Sequence, residues 1–537
     1  TVNMSTFNLT IADGKTITNN GTWTAPSAPS TLACAGDATF AGDNMNFYNF
    51  SAQVANKTLT FADTKIYTVA NDLTLTGADG TELELNTSGG TTATLSNTGG
   101  TQSVDYVKVD NVDGTSANHI VATNSWDINR GGVGAVTFWD FGPMLYTFAT
   151  TGNWDTAGNW EQGILPAATD NVLVSGGVTL TLNGTRTIND VQIAATGEIT
   201  VATDVFTVNG DCDIDGTITV TTGTVDANGT FDATGGTIDI NGAGDLELAG
   251  VVTSLGTLTD NTHGTVTYDG GGAQNIVGAE TYVNLIVGGA GGIKSLLGAV
   301  VVAGAFTTNA SVTTAMGAFD LTVAGATTIP GTVTITTATL DANGAFDATG
   351  GTIDINGLGN LTLASTVTDL GTLSIDFGKV TYDGTAQTIF ADTYYDLTAG
   401  NANTKTLAGA VIVARDLTID AGVTLDVSSS DYSINVARNF ANSGTFTMQD
   451  GLVTFDGNDD QTLTSGGSSF YAITFSTTGG SGKKLIIDGP LTLANNLTIT
   501  AGTLDLDTND PAISIAGDLA IADGAVWTKG SGTATFA

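Results

Sequence analysis

Residues 224–242 read TVDANGTFDATGGTIDING, and residues 339–357 read TLDANGAFDATGGTIDING. Phe231 matches Phe346, an offset of 115 residues. An internal match this long means that the chain repeats one structural unit, which settles the architecture before local propensity is weighed. The match continues through GTVTYDGGGAQNI (264–276) and GKVTYDGTAQTI (378–389), with a degenerate copy, GLVTFDGNDDQTL (451–463). An earlier relative is ATFAG (38–42), followed by FYNFSAQVANKTLTFADTKIYTVANDLTL (47–75).

Each unit runs as a T-Y/F-D-G turn, a Gln, a Tyr-rich strand, an apolar strand and a Leu-marked strand. Leu9, Leu73, Leu417, Leu497 and Leu519 open versions of the last. Within it, Leu and Ile alternate with Thr and Asn, the period-two signature of a half-buried strand. Gly, Asn-Gly and Asp-Gly punctuate the chain at short intervals and supply the positive φ of tight turns. No stretch carries helical periodicity with caps at both ends.

The fold class is therefore all-β, and the predicted architecture is a β-solenoid (β-helix) of stacked short strands. The alternative is a tandem array of β-sandwich domains. Short strands separated by single glycines, the lack of Pro-rich linkers and the absence of a Cys–Trp–Cys signature favour the solenoid. The expected organisation is an N-terminal β-repeat segment (1–125), a Trp-rich junction (126–171), and solenoid repeats (172–537) in units near 216–330, 331–443 and 444–537.

Composition excludes several functions. Across 537 residues, 14 Lys and Arg face 53 Asp and Glu, a formal charge of −39. Phosphate binding needs clustered cations, so nucleic acid is not an expected partner. No apolar run reaches the ~18–20 residues that span a bilayer, so membrane insertion is not expected either. The opening at Thr1, without initiator Met or signal peptide, reads as a mature secreted form or a segment of something larger. Cys34 and Cys212 lie 178 residues apart. Cys212 occupies the inward Leu position of GDCDIDG and is expected to be a buried thiol, not a disulfide partner.

Four of the six tryptophans, Trp126, Trp139, Trp154 and Trp160, fall in the junction. They read either as a seal between solenoid segments or as a glycan-binding surface, since exposed indoles stack on sugars. Asp211, Asp213 and Asp215, followed by Gly216, imitate the start of a calcium loop. Thr222 stands where the bidentate acid belongs, and strand alternation puts all three aspartates on one solvent face. Calcium is the one ion the sequence keeps open; no other cofactor is expected. His119 and His263 lie in unrelated contexts without a nucleophile or acid at recognisable spacing, so the chain is not expected to be an enzyme.

The units resemble the repeats of large bacterial surface proteins, the filamentous-haemagglutinin-like adhesins and autotransporter-passenger-type β-helices. The resemblance rests on GTVTYDG, AQTI, KTLAGAVIV (405–413) and the NW…G.LP…D.V.V element from Asn159 to Val174. It implies a β-helical protein of the extracellular cell surface, with a fibre or adhesive role and no catalytic residues.

The two terminal segments are versions of one turn: FNLTIADGKTITNNGTWTA (7–25) resembles GDLAIADGAVWTKGSGTATFA (517–537). Neither reads as a polar cap. The expectation is a structural filament in which copies stack head to tail. Phe7, Leu9, Ile11 and Trp23 would form one face of the polymer interface, and Leu519, Ile521, Trp527 and Phe536 the other. A piece of a longer protein, a surface adhesin or stalk binding glycans, and a carbohydrate-active β-helix enzyme are the competing readings.

Overall fold

The computed structural model describes residues 7–24, 29–128, 135–260, 263–375, 377–480 and 482–537. It is a parallel β-solenoid of about 26 turns. Every ladder described is parallel, and most strands pair with the third strand along the chain, so a regular turn contributes one short strand to each of three walls. Turns take about twenty residues: Thr224 pairs with Asp245, and Asp245 with Thr265. The single helical element among the described residues is a 3-10 turn at Ala157–Asn159. Sandwich domains, the alternative, would require antiparallel sheets.

The chain divides into two compact units, one of residues 1–200 and 207–211, the other of 201–206 and 212–537. In the first, the N-terminal ladders end at Trp126–Asp127 and Trp139–Phe141, and new ones begin at Leu145–Phe148. The Trp-rich stretch is thus where pairing stops and restarts within one unit. Contact density divides the chain elsewhere, near residues 200–212.

Alternation builds the core. In the second unit Thr224–Ala227, Asp245–Leu248 and Thr265–Tyr268 all place their second and fourth side chains inside. Parallel register then stacks Val225, Leu246, Val266, Leu285 and Phe306 into one buried column. Each such side chain stabilises the fold by about 1.5–3 kcal/mol through burial. In the first unit aromatic rings take part as well: Phe40 stacks on its register partner Phe61 with centroids 5.2 Å apart, and within one turn Phe47 stacks on Phe50 at 5.2 Å.

The abundant Asp and Asn have an inter-turn task that composition alone does not show. At the corners, a side-chain oxygen of one turn accepts the N–H that opens a strand in the next. Asp72 accepts from Thr101 (2.9 Å), Asp396 from Asp416 (3.0 Å), Asn439 from Thr462 (3.1 Å) and Asn496 from Asp518 (2.8 Å). Corner backbone that the ladders leave unpaired is satisfied in this way.

Candidate functional surfaces

The T-Y-D-G…Q motif builds a buried polar clamp, repeated in the second unit. Gln274 donates to Leu248 O (2.7 Å) and Gly250 O (2.8 Å), while its Oε1 accepts from Gly270 N. Lys294, its ladder partner one turn on, is fully enclosed and donates to Gly270 O, Gly272 O (3.0 Å) and Gln274 Oε1 (3.1 Å). The sister clamp holds Gln387 against Leu363 O and Ser365 O, with the enclosed Lys405 donating to Gly384 O and to Ala402 O (2.9 Å). Burial pulls both ammonium groups below the ordinary Lys value, opposed by Asp269 and Asp383 respectively.

Beside each clamp two phenols meet inside the core. Tyr268 and Tyr282 oxygens are 3.0 Å apart, and those of Tyr382 and Tyr394 2.9 Å. Burial pushes Tyr268 up to about 12 and raises the other three. The third copy replaces these parts: Phe455 stands in the first tyrosine's place, and Leu485 is the ladder partner of Gln461 where a Lys stood before. Gln461 Oε1 is buried without a hydrogen-bond partner there, and Gly457 O takes the Thr477 hydroxyl instead (2.8 Å). Enclosed in this way, the clamps are structural parts.

The tryptophans are inside. Trp126 is 7% exposed, Trp139 8%, Trp154 2% and Trp160 2%. Trp139 Nε1 donates to Val112 O (2.8 Å), and Trp160 Nε1 donates to Trp154 O (2.9 Å). The Trp154 and Trp160 rings meet edge to face at 4.9 Å. A sugar-stacking surface needs open indole faces, which these four residues, read from the sequence as candidate glycan binders, do not offer. Trp126 and Trp139 fill the interior where the first ladders end, and Trp154 and Trp160 where the next begin. Trp126 borders a cleft of about 290 Å³ together with Glu82, Lys108 and Glu161, and shares with Trp139 a second one of about 220 Å³.

Asp211, Asp213 and Asp215 are exposed, flanking the inward Cys212 and Ile214. Alternate residues of a strand point the same way but stand about 6.6 Å apart, too far for one ion to draw all three together in the manner of a loop. Asp213 pairs in register with Asp232 of the next turn, which extends the acidic stripe. Among the described residues no group of three His, Cys, Asp or Glu side chains is arranged to hold a metal ion, and calcium loses its proposed loop. His119 lies 2.9 Å from Asp140 on an exposed surface. No helix among the described residues is long and apolar enough to cross a membrane.

At the first turn Phe7 and Leu9 are exposed, whereas Ile11 and Trp23 are buried, Trp23 packing edge-on against Phe47 at 6.0 Å. At the last described turn Ile521 and Phe536 are exposed, and Leu519 and Trp527 half-buried. Leu9 pairs in parallel with Leu32, and Leu519 with Leu497, so both sets belong to regular ladders.

One exposed cluster escaped the sequence reading. Phe377, Tyr395, Arg415 and Arg438 line one corner of successive turns, and the only signal was two arginines in a chain with so few cations. No protein family, curated protein or solved structure matches the chain, so its place among β-helix repeat proteins rests on the fold itself.

Proposed function

We propose that this chain is a structural protein of an extracellular surface: a stretch of fibre of the kind formed by filamentous-haemagglutinin-like adhesins and autotransporter passengers, and not an enzyme. The supporting observation is the set of parallel ladders around a filled interior. Columns of Val, Leu, Ile and Phe, paired tyrosines and lysine clamps invest the chain's chemistry in holding turns together. The acidic exterior keeps such a protein dispersed at high local concentration.

In this reading, copies join end to end by continuing the ladder, with the apolar residues of the outermost turns covered by a neighbouring turn. Parallel pairing of that kind is heterologous and propagates without closing. Electron microscopy and sedimentation of the purified chain over a wide concentration range test it. Filaments that lengthen with concentration are expected, and Phe536→Asp or Ile521→Asp should shorten them. Dispersed particles of one length at every concentration would refute self-stacking. Release of reducing ends from polysaccharides would refute a purely structural role.

A further inference from the structure

The second unit carries a corner that its own duplication marks as special. Ala303-Gly304 follows the strand Val300–Val302 as Ala414-Arg415 follows Val411–Val413. Ala324-Gly325 follows Leu321–Val323 as Ala437-Arg438 follows Ile434–Val436. Val283 stands after Thr281–Tyr282 where Tyr395 stands after Thr393–Tyr394. Two stacked glycines and a valine in one copy are thus two stacked arginines and a tyrosine in the other. The ladder does not require the substitution, because the glycine-bearing copy keeps the same register.

The resulting surface is organised. Arg415 N donates to Tyr395 O (2.8 Å), and Asp416 pairs with Asn439, so Tyr395, Arg415 and Arg438 rise one turn at a time, about 4.8 Å per step. The Arg415 guanidinium lies 5.4 Å from the centre of the Tyr395 ring, which the exposed Phe377 meets edge-on at 5.5 Å. Asp416 (2.8 Å) and Asp396 (3.5 Å) hold Arg415 in place. Arg438 makes one long contact, 3.9 Å to Asp416, and is about half exposed. Beside them opens a cleft of about 500 Å³, lined also by Ala414, Ala437, Asn458, Asp459, Asp460 and Lys483, with Lys483 paired to Asp459 at 3.2 Å.

We propose that this corner is a binding site for a carboxylate-bearing polysaccharide lying along successive turns. The Arg438 fork takes a sugar carboxylate, the ring of Tyr395 packs against a pyranose face, and Asn458 and Asp459 bond sugar hydroxyls. Guanidinium is the side-chain group that recognises a planar carboxylate through two parallel bonds. Arg415 is committed to Asp396 and Asp416 and lies against the Tyr395 ring, so Arg438 is the fork that a bound carboxylate meets. An acidic polypeptide offers carboxylates but no pyranose face for the Tyr395 ring and no vicinal hydroxyls for Asn458, so the sugar is the better match. The corner sets Asp396, Asp416, Asp459 and Asp460 beside Arg415, Arg438 and Lys483, so recognition rests on the half-exposed Arg438 fork and not on net positive charge. At 0.15 M salt a screening length of about 8 Å damps repulsion from the rest of the chain. The site does not depend on end-to-end assembly: it belongs to a single chain.

The test is retention of the full chain on immobilised polygalacturonate near 0.15 M salt, with neutral dextran and poly-glutamate as comparison matrices. Retention on polygalacturonate alone is expected. Arg438→Gln, which disturbs one long ion pair only, should weaken it about tenfold. The pair Arg415→Gln with Arg438→Gln should abolish it, and Tyr395→Val, the residue of the sister copy, should weaken it. Melting curves of the variants establish that they fold, and Arg438→Gln carries the test if the double variant does not. Absence of retention, equal retention of wild type and Arg438→Gln, or equal retention on dextran would overturn the proposal. Equal retention on poly-glutamate would also overturn it and assign the site to acidic polypeptides.

Discussion

Replacing Lys405 by methionine keeps the length of the side chain and removes its charge from an enclosed site. In the native clamp the ammonium donates to Gly384 O and Ala402 O, and no solvent reaches it. The Lys405→Met substitution would leave both carbonyls without that donor, at about 1–3 kcal/mol each. Against this, the desolvation that pulls the Lys405 pKa down is relieved when the charge is removed. The two carbonyls together set about 2–6 kcal/mol, and the relieved desolvation places the net loss in the lower half of that span, about 3 kcal/mol. Because stability in a stacked-repeat protein is local and nearest-neighbour, the loss should concentrate in the turns around 384–408 and spare the Lys294 clamp. Native-state hydrogen exchange reads this directly: amides of those turns should exchange about 100-fold faster, and those around Gly270 and Gln274 at the wild-type rate. Unchanged exchange near residue 405 would refute the argument that the ammonium holds the turn. Equal acceleration in both clamps would refute locality.

Acidification should first stabilise and then destabilise the fold. Burial raises Asp269, Glu280, Asp383, Asp392 and Asp396 above their ordinary values. Their contribution is thus gained as pH falls through the folded values and is complete below the ordinary carboxylate range. Asp72 and Asp347, held low by the N–H and hydroxyl of Thr101 and by the hydroxyl and N–H of Thr349, lose theirs only in stronger acid. Melting at constant ionic strength should show a higher Tm at about pH 5 than at about pH 7.5, and a fall below about pH 4; a monotonic fall on acidification would contradict it. Both thiols should resist a water-soluble disulfide reagent in the native state and react fully after denaturation. Cys34 and Cys212 are buried, and burial pushes Cys34 up to about 12. Tyr394→Phe removes the bonds to Tyr382 (2.9 Å) and to Phe390 O (2.6 Å), and should cost about 1–3 kcal/mol in hydrogen-exchange stability of the turn around 390.

The order of amino acids was enough to establish that the chain is a repeat, that its strands are short, and which side chains face inward. Duplication and period-two alternation are properties of neighbouring residues, and a parallel in-register stack preserves them. Leu417, Cys212 and Phe346 are therefore inside as their positions in the pattern require. Which residues of different turns meet was settled by the folded chain alone. Trp126 and Trp160 gave no sign of whether they faced water, since burial depends on the turns that cover them. The three aspartates around Cys212 resembled a calcium loop in spacing, yet extended backbone keeps them apart along a strand. Lys294 and Lys405 would pass for solvated charges until register sets each beside a buried glutamine. The Arg415–Arg438 corner emerged for the same reason: residues more than twenty positions apart in the chain become neighbours only when one turn lies on the next.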